Sequence, residues 1–84
     1  MFSWDFKIRG FAGARHPRKP PGAFLVATAH KGEASASIEI EVWQARMRRG
    51  EVSRVELIDM RPGGLLTNLN IGPETKIPWS WSRS

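Results

Sequence analysis

The sequence predicts an all-β domain of about five antiparallel strands in a meander, forming a small open barrel or sandwich of OB-like or SH3-like size. Apolar and polar residues alternate with a period of two in several separate stretches, the mark of strands with one buried and one wet face. Glycine and proline clusters separate those stretches. Phase slips within the longest stretch call for the bends that curve a sheet.

Phe2, Trp4, Phe6 and Ile8 alternate with Ser3, Asp5, Lys7 and Arg9. This is the cleanest strand pattern in the chain, and its aromatic side is expected to fill the core. The next segment, 10–22, carries Gly10, Gly13, Pro17, Pro20, Pro21 and Gly22 among Arg15, His16, Arg18 and Lys19. That composition blocks helix and ladder alike and predicts a flexible basic loop. Arg9 to Ala12 match the opening of the RNP1 pattern of RNA-recognition domains. The match ends at Gly13 and Ala14, where an aromatic residue and a valine are required, so we draw no kinship from it.

Ala23 to His30 is a short apolar run between Pro-Pro-Gly and Lys31-Gly32, which predicts a mostly buried strand followed by a hairpin turn. Ala36 to Met60 then reads as a long bent hairpin. Ala36, Ile38, Ile40 and Val42 share one parity, Trp43, Ala45 and Met47 the other, and the returning arm slips phase at Leu57-Ile58. Arg48-Arg49-Gly50 would be the loop, with Gly50 in the left-handed region. In that register Arg46, Arg48 and Arg54 share a face near the tip. The alternative is an α+β fold with a helix at about 35–49, for which Gly50 supplies a C-terminal stop. Against it stand the β-branched Ile38, Ile40 and Val42, and a helix would take Ile40 and Trp43 off the Ile38 stripe.

Arg61-Pro62-Gly63-Gly64 ends the second arm, and a last strand follows over 65–71. The tail, 74–84, has little apolar pattern beyond Ile77, Trp79 and Trp81 and is expected to be irregular. Its two tryptophans suit either core or interface.

At 84 residues the chain makes a single small domain, 1–84, burying roughly 60–65% of its unfolded surface. So thin a core makes a homodimer one expected state. The chain contains no cysteine, which removes disulfides and thiolate metal sites and fits a cytoplasmic protein. No apolar run is long enough to span a bilayer, and no signal-peptide pattern opens the sequence.

Catalysis is not expected. His16 and His30 are the only histidines, and Glu39 and Glu41, though on one side of a strand, have no base or oxyanion donor beside them. No metal or cofactor pattern is present either. What remains is basicity, a formal net charge of +5 with 13 Lys and Arg. Two groups hold most of it: Arg15, Arg18 and Lys19 in the loop, and Arg46, Arg48, Arg49 and Arg54 at the hairpin tip beside Trp43. Arginine binds phosphate bidentately and tryptophan stacks on bases, so these eight residues point to a non-enzymatic nucleic-acid-binding protein, with single-stranded DNA or RNA favoured. The alternative is a small protein-protein interaction module or inhibitor that docks on an acidic protein surface.

Overall fold

A computed structural model describes residues 4–62 and 68–79. The fold is α+β. Strands β1 (Phe6–Ala12), β2 (Phe24–His30), β3 (Val52–Asp59) and β4 (Asn68–Ile71) form one antiparallel sheet in the order β2-β1-β3-β4, and helix α1 (Glu33–Arg48) packs on it. The expected all-β meander is therefore wrong, and the alternative with a helix at about 35–49 is close to what forms. The sheet is open and does not close into a barrel.

The error lies in one choice of stripe. Read at period 2, Ile38 and Val42 look like core, but on a helix the buried residues are Ala36, Ile40, Trp43 and Gln44, spaced three and four apart. Ile38 is 68% and Val42 49% exposed. Their β branching lowers helix propensity slightly, by a few tenths of a kcal/mol per residue, which burial of Ile40 and Trp43 at about 1.5–3 kcal/mol per large side chain easily outweighs. Both helix ends have a local cause. Gly32 at the N-cap has φ of 84°, and Glu33 in the first turn with Arg46 and Arg48 in the last complements the helix dipole.

Gly50 is the stop. With φ of 81° it takes the left-handed position after the Arg49 cap, its N–H donates to the Met47 carbonyl (3.0 Å), and Glu51 N–H donates to the Arg46 carbonyl (3.1 Å). This pair of bonds is a Schellman motif. Arg48-Arg49-Gly50 is thus a helix C-terminus and not a hairpin tip, and Lys31-Gly32 joins β2 to the helix instead of to another strand.

β1 lies inside the sheet, with Phe6 opposite His30 on one side and Asp59 on the other. Its alternation is read correctly over Phe6 and Ile8, which are fully buried, while Trp4 precedes the strand and is 44% exposed. Phe2 falls outside the described residues. β1 continues through Gly10, Phe11 and Ala12, so the expected loop of 10–22 begins only at Gly13. Gly10 is needed in the strand because the Trp43 ring rests on it: a Cβ there would lie 2.6 Å from Cζ3 and 2.8 Å from Cζ2 of the indole.

Phe6, Ile8, Val55, Leu57 and Ile71 meet Ala36, Ile40 and Trp43 in the core. Residues 72–79 close over the same side. The Gln44 side-chain amide donates to the Gly72 and Thr75 carbonyls (3.0 and 2.8 Å), and Trp79 meets Phe6 edge-on with ring centroids 5.2 Å apart. Trp79 is thus a core neighbour; Trp81 and residues 65–67 of the expected last strand lie outside the described residues. Among the described residues no helix is long and apolar enough to cross a membrane.

The Trp43 notch yields a test of the packing. Gly10→Ala should lower stability by about 1–3 kcal/mol through overpacking, read as a lower urea midpoint with unchanged slope. An unchanged midpoint would mean that the indole does not rest on β1.

Candidate nucleic-acid interface

The loop and the helix end, far apart in sequence, are tied to one end of the sheet. Gly13 N–H donates to the Glu51 carbonyl (2.8 Å) and Arg15 N–H to the Gly50 carbonyl (2.9 Å), while Ala12 pairs with Val52. Arg15, Arg18, Lys19, Arg46, Arg48, Arg49 and Arg54 therefore all lie toward this end. At the opposite end acids and cations are paired, Asp5 with Lys31 at 3.9 Å among them. Asp59 faces Phe6 at the far end of the β1 ladder, Asp5 accepts from Gly32 N–H (2.7 Å), and Arg61 bridges Asp59 and Glu33.

The sheet separates the basic end into two surfaces. On the helix side, a cleft of about 370 Å³ is lined by His16, Arg18, Arg46, Arg49 and Glu51 over a floor that includes Leu25. The His16 ring orders the loop beside it, since Nδ1 accepts the backbone N–H of both Arg18 (3.1 Å) and Lys19 (3.0 Å). Arg46 sits over the Trp43 ring, 5.5 Å from its centroid, and Arg49 pairs with Glu51 at 3.1 Å. The Arg49 hydrogen bond holds the Glu51 carboxyl below the ordinary glutamate range, with the charges of Arg49 and Arg46 adding to it against partial desolvation. Arg48 points elsewhere, to Glu74 (3.3 Å) and the Pro73 carbonyl (3.0 Å).

The other face of the sheet carries no described helix or strand. The register puts Phe11 beside both Phe24 and Arg54 there. The two phenyl rings meet edge-on at 5.8 Å, the Arg54 guanidinium lies 4.3 Å from the Phe11 centroid, and Phe24 is 52% exposed. Behind them Arg9 approaches Glu56 at 2.7 Å, off the hydrogen-bonding directions, so Arg9 Nε and Glu56 Oε1 are buried without a hydrogen-bond partner. Lys7, Asn68 and Asn70 follow along the same face by register.

Two expectations about the site need correction. Arg54 does not share a face with Arg46 and Arg48, because the tip that would have joined them is a helix end and the sheet now lies between. Trp43 is 4% exposed, so its ring offers no surface to a base; its Nε1–H donates instead to Glu39 (2.7 Å). The aromatic pair on the uncovered face, half-buried Phe11 and exposed Phe24, was not singled out from sequence. The signal was present in part: Phe11 follows Ile8 on the opposite parity, which predicts the outer face once β1 is carried past Gly10.

At the β2 side of the helix, Glu39 gathers hydrogen bonds from three side chains. Thr28 Oγ1 lies 2.7 and 2.9 Å from its two oxygens, His30 Nε2 2.6 Å and Trp43 Nε1 2.7 Å, while His30 Nδ1 faces Ser35 Oγ at 2.6 Å. Burial alone would raise this carboxyl, but the bonds from Trp43, Thr28 and His30 outweigh it and hold it below the ordinary glutamate value. The network pins α1 to β2, and among the described residues no group of His, Asp and Glu is arranged to hold a metal ion.

Compared with family models, curated proteins and solved structures, the chain matches none. The site must therefore be read from its own geometry.

The depressed Glu39 carboxyl gives a stability contribution that is complete above the unfolded-state value of ~4.3 and is lost as pH falls through the lower folded-state value. Glu39→Gln should thus cost about 1–3 kcal/mol at pH 7 and clearly less at pH 3, measured by urea unfolding of both proteins at each pH. Equal losses at the two pH values would show that the carboxylate charge does not hold the helix.

Proposed function

We propose that the protein is a non-enzymatic binder of single-stranded nucleic acid, and that the strand crosses the uncovered face of the sheet at its basic end. The observation that carries this reading is the pairing of exposed Phe24 with half-buried Phe11 beside the Arg54 guanidinium, on a face that no described helix or strand covers. Every base offers a flat face to such rings, and base-aromatic stacking contributes about 1–3 kcal/mol per base without regard to sequence.

Charge supports the same reading. Arg15 and Lys19 belong to the loop between the strands that carry the two rings, and the exposed Arg54 is held by Glu56 only at 3.5 Å. Glu56 is buried and also faces Arg9, so it keeps a cationic neighbour when the Arg54 guanidinium turns to a phosphate. A single strand is favoured over a duplex because the phenyl rings lie on a broad sheet, and bases reach such rings only when unstacked from a partner strand. In this reading the protein acts in the cytoplasm, where a chain without cysteine suits the reducing medium.

Titrating a fluorescent single-stranded oligonucleotide at several salt concentrations tests the proposal. With about five phosphate contacts, log K should fall against log salt with a slope of roughly −3 to −4. Phe24→Ala should weaken binding by about 1–3 kcal/mol and leave the slope unchanged, since stacking releases no counterions. Arg54→Gln should flatten it by about one unit. Absence of saturable binding at 50 mM salt, with one discrete acidic protein retained in its place, would replace this reading by the interaction-module alternative.

A further inference from the structure

We infer that the cleft between the β1-β2 loop and the end of α1 is a pocket for a terminal phosphate, so that the protein grips the phosphorylated end of a single strand. The inference rests on the nucleic-acid reading above, but its residues lie on the helix side of the sheet, apart from the Phe11-Phe24 face.

Charge balance comes first. Arg18, Arg46 and Arg49 face one carboxylate, Glu51, so with His16 neutral the lining carries three positive charges against one negative. A phosphodiester inside a strand carries a single negative charge, whereas a phosphomonoester at pH 7 carries about −1.5 to −2 and presents three acceptor oxygens. The surplus of two matches the end of a strand better than its interior. Among the described residues neither Arg18 nor Arg46 has a carboxylate partner, and the one carboxylate in the cleft is taken by Arg49.

The donors are also set in place before any ligand arrives. His16 Nδ1 accepts two backbone N–H groups, so the ring hydrogen resides on Nε2, which has no partner among the described residues. Arg46 is steadied by the Trp43 ring, and Arg49 sits at the helix cap. A helix C-terminus by itself repels an anion, but here the Arg46 and Met47 carbonyls are already bonded by the N–H groups of Arg49, Gly50 and Glu51. Size agrees as well. About 370 Å³ is at the lower end of small-molecule sites and suits a phosphate with its nucleoside, while the partly apolar floor at Leu25 and Val52 gives the sugar or base a surface to cover.

The test compares one single-stranded oligonucleotide in three forms, with 5′-phosphate, 3′-phosphate or hydroxyl at both ends, at fixed moderate salt. One phosphorylated form should bind about tenfold or more tightly than the hydroxyl form, since charge-assisted hydrogen bonds contribute about 1.5–3 kcal/mol each and tenfold corresponds to 1.4 kcal/mol. Which form gains identifies the end that is held. Arg46→Gln and Arg49→Gln should abolish the gain and bring both forms to the hydroxyl form's affinity, apart from a small common loss. As a control that needs no variant, a nucleoside monophosphate should compete with the phosphorylated form alone. Three oligonucleotides that bind with equal affinity would overturn the terminal-phosphate pocket and leave the sheet-face reading standing. If none of them binds, both fall.

Discussion

The contact between the Trp43 ring and the bare backbone of Gly10 is the constraint on which the remaining structure depends. It lets α1 approach the central strand closely, and it carries the helix across β1 at the level where β2 and β3 also pair with Gly10. Once the indole is seated, its N–H is buried and needs an acceptor. Glu39, one turn earlier, supplies it and in turn collects Thr28 and His30 of β2. A single aromatic side chain thereby fixes the depth of the helix on the sheet and, through a carboxylate, its rotation toward the edge strand.

The positions of the cationic residues follow from that placement. With Trp43 inward, Arg46 lies three residues on and stacks on the outer side of the same ring, and the Gly50 stop brings Arg49 and Glu51 to the start of β3. The β1-β2 loop is anchored to those residues by Gly13 and Arg15 N–H groups. Two basic segments separated by some thirty residues of chain thus become the walls of one cleft. Their mutual repulsion is offset locally by Glu51, a single charge, and by solvent at the mouth. The surplus is what the proposed terminal-phosphate pocket would draw on.

How much of this was legible in the sequence depends on which force decided each element. The core of β1 was legible because Phe6 and Ile8 alternate on a half-buried strand, and burial and parity agree there. The helix was not, because its β-branched Ile38 and Val42 alternate like a strand while the residues that pack, Ala36, Ile40, Trp43 and Met47, are spread through both parities. Local pattern and tertiary burial disagreed, and burial prevailed. The same stripe error made Trp43 a stacking candidate, while reading 10–22 as a loop hid Phe11 and reading 23–30 as mostly buried hid Phe24. The basic residues themselves were legible as a composition. Their division between two faces was not, since it depends on which residues the sheet separates.

This division bears on how one small domain could hold a strand with direction. A flat aromatic face binds bases in either polarity, because stacking is indifferent to the order of 5′ and 3′ ends. A charged cleft beside its edge breaks that symmetry. Phe24 and Leu25 are neighbours at the start of β2, one on the uncovered face and the other at the floor of the cleft, so in the proposed reading a strand stacked on the rings would have its end close to the cleft mouth. Tethering of this kind raises the effective concentration of the end group at the second site, and two modest interactions then combine into a larger one. A strand lying the other way would gain only the stacking. If both proposed sites hold, orientation would follow from their placement on opposite sides of a single sheet edge, with no base-specific contact required.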